Sequence, residues 1–259
     1  MKTLKILWIW IVAILKIQFN GKASAGPLAL IKYGQIIAEA RGKLAGTVFS
    51  RNTAGSYMRQ KVSPIQPRTV AQQLVRALLT TVAQAWRGIT EAQRLAWNTI
   101  ASSFVNINRF GDNMPLTGFG LFSRLNRNRQ EISEALLTDP PSPTDITGLT
   151  DISLVIDNAE VADDDKIKVT FAPAIPADQK AVVYMTPPLS AGKNFVKSEY
   201  RKLKVLDNAD ISPFPLGAAY IALYGAIPAA GTKTFIQMRP IHTASGLDGV
   251  APSASDVAV

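Results

Sequence analysis

The chain has 259 residues, of which 47% are hydrophobic and 18% charged, and its formal net charge is +9. This length and composition can bury the cores of one large or two small domains, and they exclude wholesale disorder. The absence of cysteine excludes disulfides, thiolate nucleophiles and Cys-ligated zinc. The single histidine, His242, excludes His-based metal clusters and is the one candidate base for a Ser-His-Asp arrangement.

The charges fall into blocks along the sequence. Residues 1–26 carry +4 and residues 27–138 carry +9, whereas residues 139–259 carry −4. A basic block followed by an acidic block favours two domains with different surroundings.

The N-terminal 27 residues have the pattern of a signal peptide. Lys2 and Lys5 precede an apolar run at 6–15, and a small-x-small site at 23–25 follows it. The run is too short to cross a bilayer, which takes ~20 residues. The alternative is an over-extended gene start, with the working protein beginning near Leu28, and both interpretations stay open.

A basic hairpin is predicted next. Two short β-like pieces, at 48–49 and 57–58, flank a turn-rich segment at 51–55. The scattered glycines form neither a GK[ST] phosphate loop nor a GxGxxG fingerprint, so we expect no nucleotide site here. The Pro-containing segment 63–67 predicts an extended connector.

Three helices are predicted between Thr69 and residue 137. Thr69 caps the first, which runs to about Trp86, and its apolar face comprises Val70, Leu74, Ala77, Leu78, Val82 and Ala85. A capping box at 90–93 opens the second, which runs to about Ser102 and directs Leu95, Trp97 and Ile100 inward. The third, at 119–137, places Leu121, Phe122, Leu125, Ile132 and Leu136 on an apolar stripe, with Arg124, Arg127, Arg129, Glu131 and Glu134 on its solvated side.

Three prolines at 140–143 indicate a linker, after which the pattern changes to short strands. Strands are predicted at 152–156, 166–171, 181–185, 201–206, 219–224 and 234–239, which favours a β-sandwich.

The predicted fold is therefore α+β: a small α-rich N-terminal domain (a hairpin plus three helices) followed by an all-β immunoglobulin-like or fibronectin-like sandwich. The predicted parts are a leader at 1–27, a basic domain at 28–138, a linker at 139–150, a sandwich at 151–244 and a tail at 245–259.

Candidate site residues fall into two groups. A basic partner-binding surface comprises Arg41, Lys43, Arg51, Arg59, Lys61, Arg68 and Arg76, which suit an acidic protein partner or phosphates. Structural core positions comprise Trp86, Trp97, Phe122, Tyr220 and Tyr224; a base-stacking role for the two tryptophans is the alternative.

The acidic run at 163–165 lacks EF-hand spacing and predicts a solvated turn, so no metal site is expected. The chain lacks a GxSxG nucleophile elbow around any serine, and we expect no catalytic residue and no cofactor.

The basic half resembles a family of uncharacterised phage and prophage structural proteins. The matching residues are 31–34, 42–52, 55–59, 67–73, 76, 85–86, 90–98 and 116–126, with Gln66-Pro67 where the family pattern has Asn-Pro. The resemblance covers residues 28 to about 128 and implies a virion or assembly role without catalytic residues. Such proteins start close to the 31–34 element, which favours the over-extended start.

The segment 218–246 resembles the last two strands of a fibronectin type III-like domain, with Tyr220, Ala222 and Tyr224 on one face. That resemblance implies adhesion, spacing or assembly contacts.

Together these patterns predict a non-enzymatic virion structural or assembly protein, such as a capsid, neck or decoration component. Its expected partners are other virion proteins in an oligomeric assembly, with possible nonspecific nucleic-acid contact and no membrane span or small-molecule substrate. The alternatives are a nucleic-acid-binding protein that uses the surface from Arg41 to Arg76, or a secreted cell-surface protein if the leader is a signal peptide.

Overall fold

The computed structural model of the chain describes residues 28–32, 39–52, 55–63, 66–107, 110–142 and 145–259. The predicted leader at 1–27 lies outside the described residues, as do parts of the predicted turn at 51–55 and of the connector at 63–67.

Helices and antiparallel strands alternate along the described part of the chain. The strands are β1 (Leu28–Ile31), β2 (Gly42–Leu44), β3 (Thr47–Asn52), β4 (Gly55–Gln60), β5 (Val105–Ile107), β6 (Asn113–Pro115), β7 (Asp151–Ile156), β8 (Ile167–Ala172), β9 (Gln179–Met185), β10 (Leu189–Ser190), β11 (Arg201–Leu206), β12 (Phe214–Pro215), β13 (Thr232–His242) and β14 (Ser253–Val257). The helices are α1 (Val70–Gly88), α2 (Glu91–Ala101), α3 (Gly118–Glu131) and α4 (Gly217–Tyr224).

The predicted fold class, a helical N-terminal domain followed by an all-β sandwich, is wrong. The N-terminal part contains a four-stranded sheet, in the order β1-β4-β3-β2, and a ribbon of β5 with β6. The C-terminal part contains α4 between its strands. The hairpin itself is confirmed, since β3 pairs with β4 from Thr47–Gln60 to Asn52–Gly55, but it belongs to a larger sheet.

Local capping explains where α1 and α2 begin. The Thr69 hydroxyl accepts a hydrogen bond from the Gln72 backbone N–H at 3.3 Å. The Thr90 N–H donates to Gln93 Oε1 at 2.8 Å, and the Gln93 N–H donates to Thr90 Oγ1 at 3.3 Å. The predicted capping box is therefore confirmed, because each side chain satisfies an N–H that has no partner inside the helix.

Helix α3 ends earlier than predicted, at Glu131 instead of 137. Ser133 adopts a left-handed backbone with φ of 62°, which turns the chain back. The Leu137 N–H then donates to Asn126 Oδ1 at 2.6 Å, and Trp97 Nε1 donates to the Thr138 carbonyl at 2.9 Å. These side-chain bonds fix the segment after the helix against α2 and α3.

The predicted strand at 219–224 is also wrong, because this segment forms helix α4. Tyr220 and Tyr224 are four residues apart on one helical face, with ring centroids 4.7 Å apart. Gly225, at φ of 89°, caps the helix in the left-handed conformation that glycine tolerates. Alternating aromatic and aliphatic residues fit a strand period, but the alanines of this segment favour helix.

The described chain divides into two compact units. The first unit comprises the described residues up to Arg76 together with Asn98–Gly118, and the second unit comprises Ala77–Trp97 with Phe119–Val259. The Pro-rich segment lies inside the second unit, so these units have different limits from the predicted domains at 28–138 and 151–244.

The second unit is built around two facing sheets. One has the order β10-β13-β9-β11, with β14 also paired to β13, and the other has the order β12-β8-β7. Their facing side chains share one core, which includes Ile156, Val169, Val183 and Ile236. Both faces of β9 are covered, because Val182 packs with Ile132 and Ile241 on the opposite side of the larger sheet.

Candidate assembly surface

All seven basic candidates lie in the first unit, and all are exposed. Lys43 is on β2, Arg51 on β3 and Arg59 on β4, whereas Arg41 precedes β2 and Lys61 follows β4. Arg68 lies before α1, and Arg76 on α1 donates to Gln66 Oε1 at 2.9 Å. The described residues of this unit include eight Lys or Arg against two acidic residues, Glu39 and Asp112, which gives a net charge of +6.

The described residues of the first unit bury very little apolar surface. Among its described residues, Ala101 is the only hydrophobic residue that is fully buried. Its exposed large hydrophobic side chains are Leu44, Met58, Val62, Val70, Leu74, Val75, Ile107 and Phe110. A monomeric protein rarely exposes such a set, and contiguous exposed apolar surface marks an interaction site.

The four-stranded sheet has two chemically different faces. Residues directly opposite each other in antiparallel strands share a face. Lys43, Val48 and Arg59 form one row across β2, β3 and β4, which places two cations on the same face. Tyr57 is two residues before Arg59 on β4, so its side chain lies on the same face. We call this the cationic face.

The opposite face carries the exposed apolar side chains of the sheet. Gly42, Phe49 and Met58 form one row, and Leu44 lies beside this row, opposite Thr47. Leu44 is 69% exposed and Met58 is 40% exposed, so no described side chain covers them. Arg51 is the single cation of β2, β3 and β4 on this side, at the hairpin end. We call this the apolar face.

An open depression lies on the apolar face beside Gly42. It is lined by Arg41, Gly42, Phe49 and Arg51, and at the strand edge also by Ser50 and Asn52, which belong to the cationic face. A Cβ atom built on Gly42 would meet no atom within 4 Å, so the space above this strand is empty. Arg41 is held at its rim by an ion pair with Glu39, with Nε and Oε1 2.8 Å apart.

Helix α1 does not bury the face that its sequence predicts. Val82 is fully buried and Ala85 is half-buried, but Val70 and Leu74 are 74% and 61% exposed. On α2, Trp97 is buried as predicted, whereas Leu95 is 66% exposed, so its inward orientation was wrongly predicted. The apolar stripe of α1 is therefore open at its N-terminal half.

The predicted core residues lie in the second unit. Trp97, Phe122 and Tyr220 are fully buried, while Trp86 and Tyr224 are half-buried. The Phe122 ring makes edge contacts with Trp86 at 5.1 Å and with Trp97 at 5.2 Å between centroids. Burial raises the pKa of the Tyr220 phenol to about 12. Such packing is typical of a structural aromatic cluster.

The polar side of α3 is exposed as predicted at Arg124 and Arg127, but the C-terminal end of this side contacts the larger sheet of the second unit. Glu131 accepts hydrogen bonds from Tyr184 on β9 and from Arg239 on β13, and its carbonyl accepts one from Lys202 on β11. Burial raises the pKa of the Tyr184 phenol above its usual range, and the Glu131 carboxylate adds to that effect. Nearby, the hydrogen bond from Lys180 lowers the pKa of Glu134.

A close backbone approach completes this contact. Gly246 has φ of 72°, and a Cβ atom there would lie 2.5 Å from the Leu125 carbonyl oxygen of α3. Asn128 Nδ2 donates to the Gly246 carbonyl at 2.9 Å, and Arg124 pairs with Asp248 at 2.9 Å. Glycine is required because a side chain would push the helix away.

His242 does lie between a serine and an aspartate. Its Nδ1 is 2.9 Å from Ser245 Oγ, and its Nε2 is 3.3 Å from Asp178 Oδ2. However, the Ser245 N–H also donates to Nδ1 at 3.1 Å, and the Leu247 N–H donates to Ser245 Oγ at 3.3 Å. Ser245 is 2% exposed, so these bonds stabilise the turn after β13 and leave its hydroxyl out of reach of a substrate.

The acidic run at 163–165 forms a turn that supports α4. Asp163 pairs with Lys166 at 2.7 Å, and Asp164 Oδ1 accepts the Ala218 N–H at 2.9 Å. Over the described ranges, no three His, Asp or Glu side chains are grouped so that they could hold a metal ion. None of the described helices is both long and apolar enough to cross a membrane.

The sequence did not predict that the basic residues of the sheet are divided between its two faces, with Lys43 and Arg59 on one face and Arg51 on the other. The β2–β3 pairing depends on a two-residue turn at Ala45-Gly46, in which Ala45 has φ of 48°. The LAG sequence before Thr47 was the available signal for a second hairpin. The sequence around Glu131 does not reveal its contacts, because its partners Tyr184 and Arg239 are 53 and 108 residues away.

Comparison with known proteins identifies no relative of this chain. No protein-family model, no curated protein and no solved structure matches it. The resemblance of residues 28–128 to phage structural proteins therefore remains a prediction that rests on the sequence pattern.

Proposed function

We propose that the protein is a structural subunit of a virion, as a capsid, neck or decoration component, and that it assembles through its first unit. The observation that carries this proposal is the shortage of buried apolar side chains among the residues of that unit that the structure describes. A four-stranded sheet needs packing on at least one face for stability in water. The first unit therefore gains its core from contacts with other protein chains.

The packed second unit supports the same function. Its two sheets pack into one core, and α3 docks on the larger sheet, so this unit has a complete core of its own. Its net charge is −2, from 15 Lys or Arg against 17 acidic residues, compared with +6 for the described first unit. With this difference in charge, acidic partner proteins are attracted to the first unit and repelled by the second.

The direct test is the protein composition of virions. A host carrying the gene is induced, and particles are purified through a density gradient and digested for mass spectrometry. We expect peptides from both units in stoichiometric amounts relative to other particle proteins. Peptides that occur in the lysate but are absent from the particles would contradict the proposal.

A charge-reversal variant tests the role of the first unit. Lys43→Glu with Arg59→Glu changes two exposed cations of the cationic face and should block incorporation into particles while the circular dichroism spectrum is unchanged. The matched control, Arg127→Glu with Lys197→Glu, changes two exposed cations of the second unit and should be incorporated normally.

Binding to nucleic acid is the second candidate, favoured by the cationic face. Lys43 and Arg59 flank Val48 there, and Tyr57 offers a half-exposed aromatic ring. Phosphate contacts release counterions, so affinity for DNA should fall steeply with salt. Tight binding that persists at physiological salt, together with normal incorporation of the Lys43→Glu/Arg59→Glu variant, would favour this candidate over assembly.

A further inference from the structure

We propose that the apolar face of the four-stranded sheet packs against the same face of a second copy of this chain. This inference deepens the proposed function, because it names the partner of one surface of the first unit. It rests on the distribution of charge, on the shape of the face and on its size.

The distribution of charge favours a like partner on this face. Lys43 and Arg59 point to the cationic face, so two copies that meet through their apolar faces keep these four side chains apart. An acidic partner would instead be drawn to the cationic face. The remaining charge on the apolar face is Arg51, which lies at the hairpin end of the sheet.

The shape of the face is self-complementary about a two-fold axis parallel to β3. Met58 and Gly42 lie on either side of Phe49 in one row, on strands that both pair with β3. Rotation about this axis places Met58 of one copy above Gly42 of the other, where the depression is open. Phe49 then meets its own counterpart, as in an isologous interface.

The same axis brings the two Arg51 side chains to the same end of the pair. Facing sheets are about 10 Å apart, and the screening length at physiological salt is about 8 Å. Arg51 lies on β3 and on the same face as Phe49, so the axis sets the two Arg51 side chains opposite each other at the hairpin end, where their repulsion opposes pairing until salt screens it. The pair should therefore form at physiological salt and weaken at low salt.

The size of the face sets the strength of the pair. Only β2, β3 and β4 overlap in this pair, over roughly 15 Å by 20 Å per copy, which is smaller than a standard specific interface. We therefore expect a weak, reversible dimer whose population rises with protein concentration.

The test is sedimentation velocity of the full chain over a concentration series. We expect a monomer–dimer equilibrium that Leu44→Lys weakens at least tenfold. The matched control is Leu95→Lys, since Leu95 on α2 is 66% exposed and Leu44 is 69% exposed; this variant should dimerise like the parent. Circular dichroism of all three proteins checks that they are folded.

Cross-linking locates the interface, because the chain has no cysteine of its own. Met58→Cys and Arg59→Cys place single thiols at adjacent positions on opposite faces of β4. A bis-maleimide reagent with a reach of about 15 Å should join two Met58→Cys chains but not two Arg59→Cys chains, given the ~10 Å sheet spacing. Equal cross-linking of the two variants would overturn the proposal.

Three further outcomes separate the pairing from its alternatives and from the proposed function. A full chain that stays monomeric, with a dimer forming only after residues 1–27 are removed, would assign this face to that segment and overturn the proposal. A chain that stays monomeric in both forms but enters particles would also overturn it, while leaving the proposed structural function intact. A dimer that never enters particles would support the pairing and contradict the structural function.

Discussion

In the second unit, Trp97, Phe122 and Tyr220 are completely buried, whereas in the first unit Leu44, Leu74 and Ile107 are each more than half exposed. The second unit has two sheets that cover each other and a helix that covers the outside of one. The described part of the first unit has the four-stranded sheet and the short β5–β6 ribbon, and no second layer extensively contacts the four-stranded sheet. A layer without a partner layer cannot form a core, which is why we propose that the first unit is completed by association.

The largest expected difference between the units concerns truncation of apolar side chains. Trp97→Ala should lower the free energy of unfolding by about 3–5 kcal/mol, because it removes a fully buried ring and leaves a cavity. Leu44→Ala should change it by about 0.5 kcal/mol or less, since Leu44 already faces solvent. Urea denaturation followed by circular dichroism measures both. Similar losses for the two variants would remove the distinction between the units.

A smaller effect is expected at the contact between α3 and the larger sheet. Glu131→Gln removes the carboxylate that accepts hydrogen bonds from Arg239 and Tyr184, and should cost about 1–3 kcal/mol. Glu91→Gln is the control, because Glu91 is 87% exposed and pairs only with Arg94 on the surface of its helix; it should cost less than about 0.5 kcal/mol. A negligible cost for Glu131→Gln would mean that α3 is not held by this network.

Alkaline pH provides a test that is specific to the packed unit. Burial raises the pKa of Tyr220 to about 12, whereas an unfolded tyrosine titrates near 10. The folded state therefore retains a proton that the unfolded state releases, and stability is full below pH ~10 and falls as the pH rises towards 12. The loss attributable to Tyr220 is on the order of 3 kcal/mol, since each unit of pKa difference corresponds to about 1.4 kcal/mol. In the Tyr220→Phe variant, the free energy of unfolding should fall less steeply between about pH 10 and 12 than in the parent, and identical slopes would contradict the burial.

Local signals predicted the local structure well. The capping hydroxyls of Thr69 and Thr90 lie within three residues of the N–H groups that they satisfy, so the starts of α1 and α2 could be predicted from sequence. The β3–β4 hairpin has a similarly short range. For Tyr220 and Tyr224, a spacing of four residues fits both a helix and one face of a strand, and the structure forms the helix.

Distant contacts explain what the sequence did not predict. Arg129 and Glu131 were assigned to solvent because their helical positions are polar, but their partners at Tyr184, Arg239 and Thr243 are more than 50 residues away. The apolar stripe of α1 predicted a buried face, yet the N-terminal half of this stripe is exposed. Hydrophobic spacing identifies the face of a helix that is suited to burial, but it does not identify what packs against that face. The candidate surface could therefore be predicted as basic, but not as a sheet with two different faces.

The central claim is that the first unit acquires its core only on assembly, and hydrogen exchange tests it most directly. Amide exchange is followed by mass spectrometry in the free protein at low concentration and in the assembled particle. We predict that peptides covering β2 to β4 exchange much faster than those covering β9 in the free protein, and that they become strongly protected in the particle while β9 changes little. Peptides from β2 to β4 that are already as protected as β9 in the free protein would contradict the account.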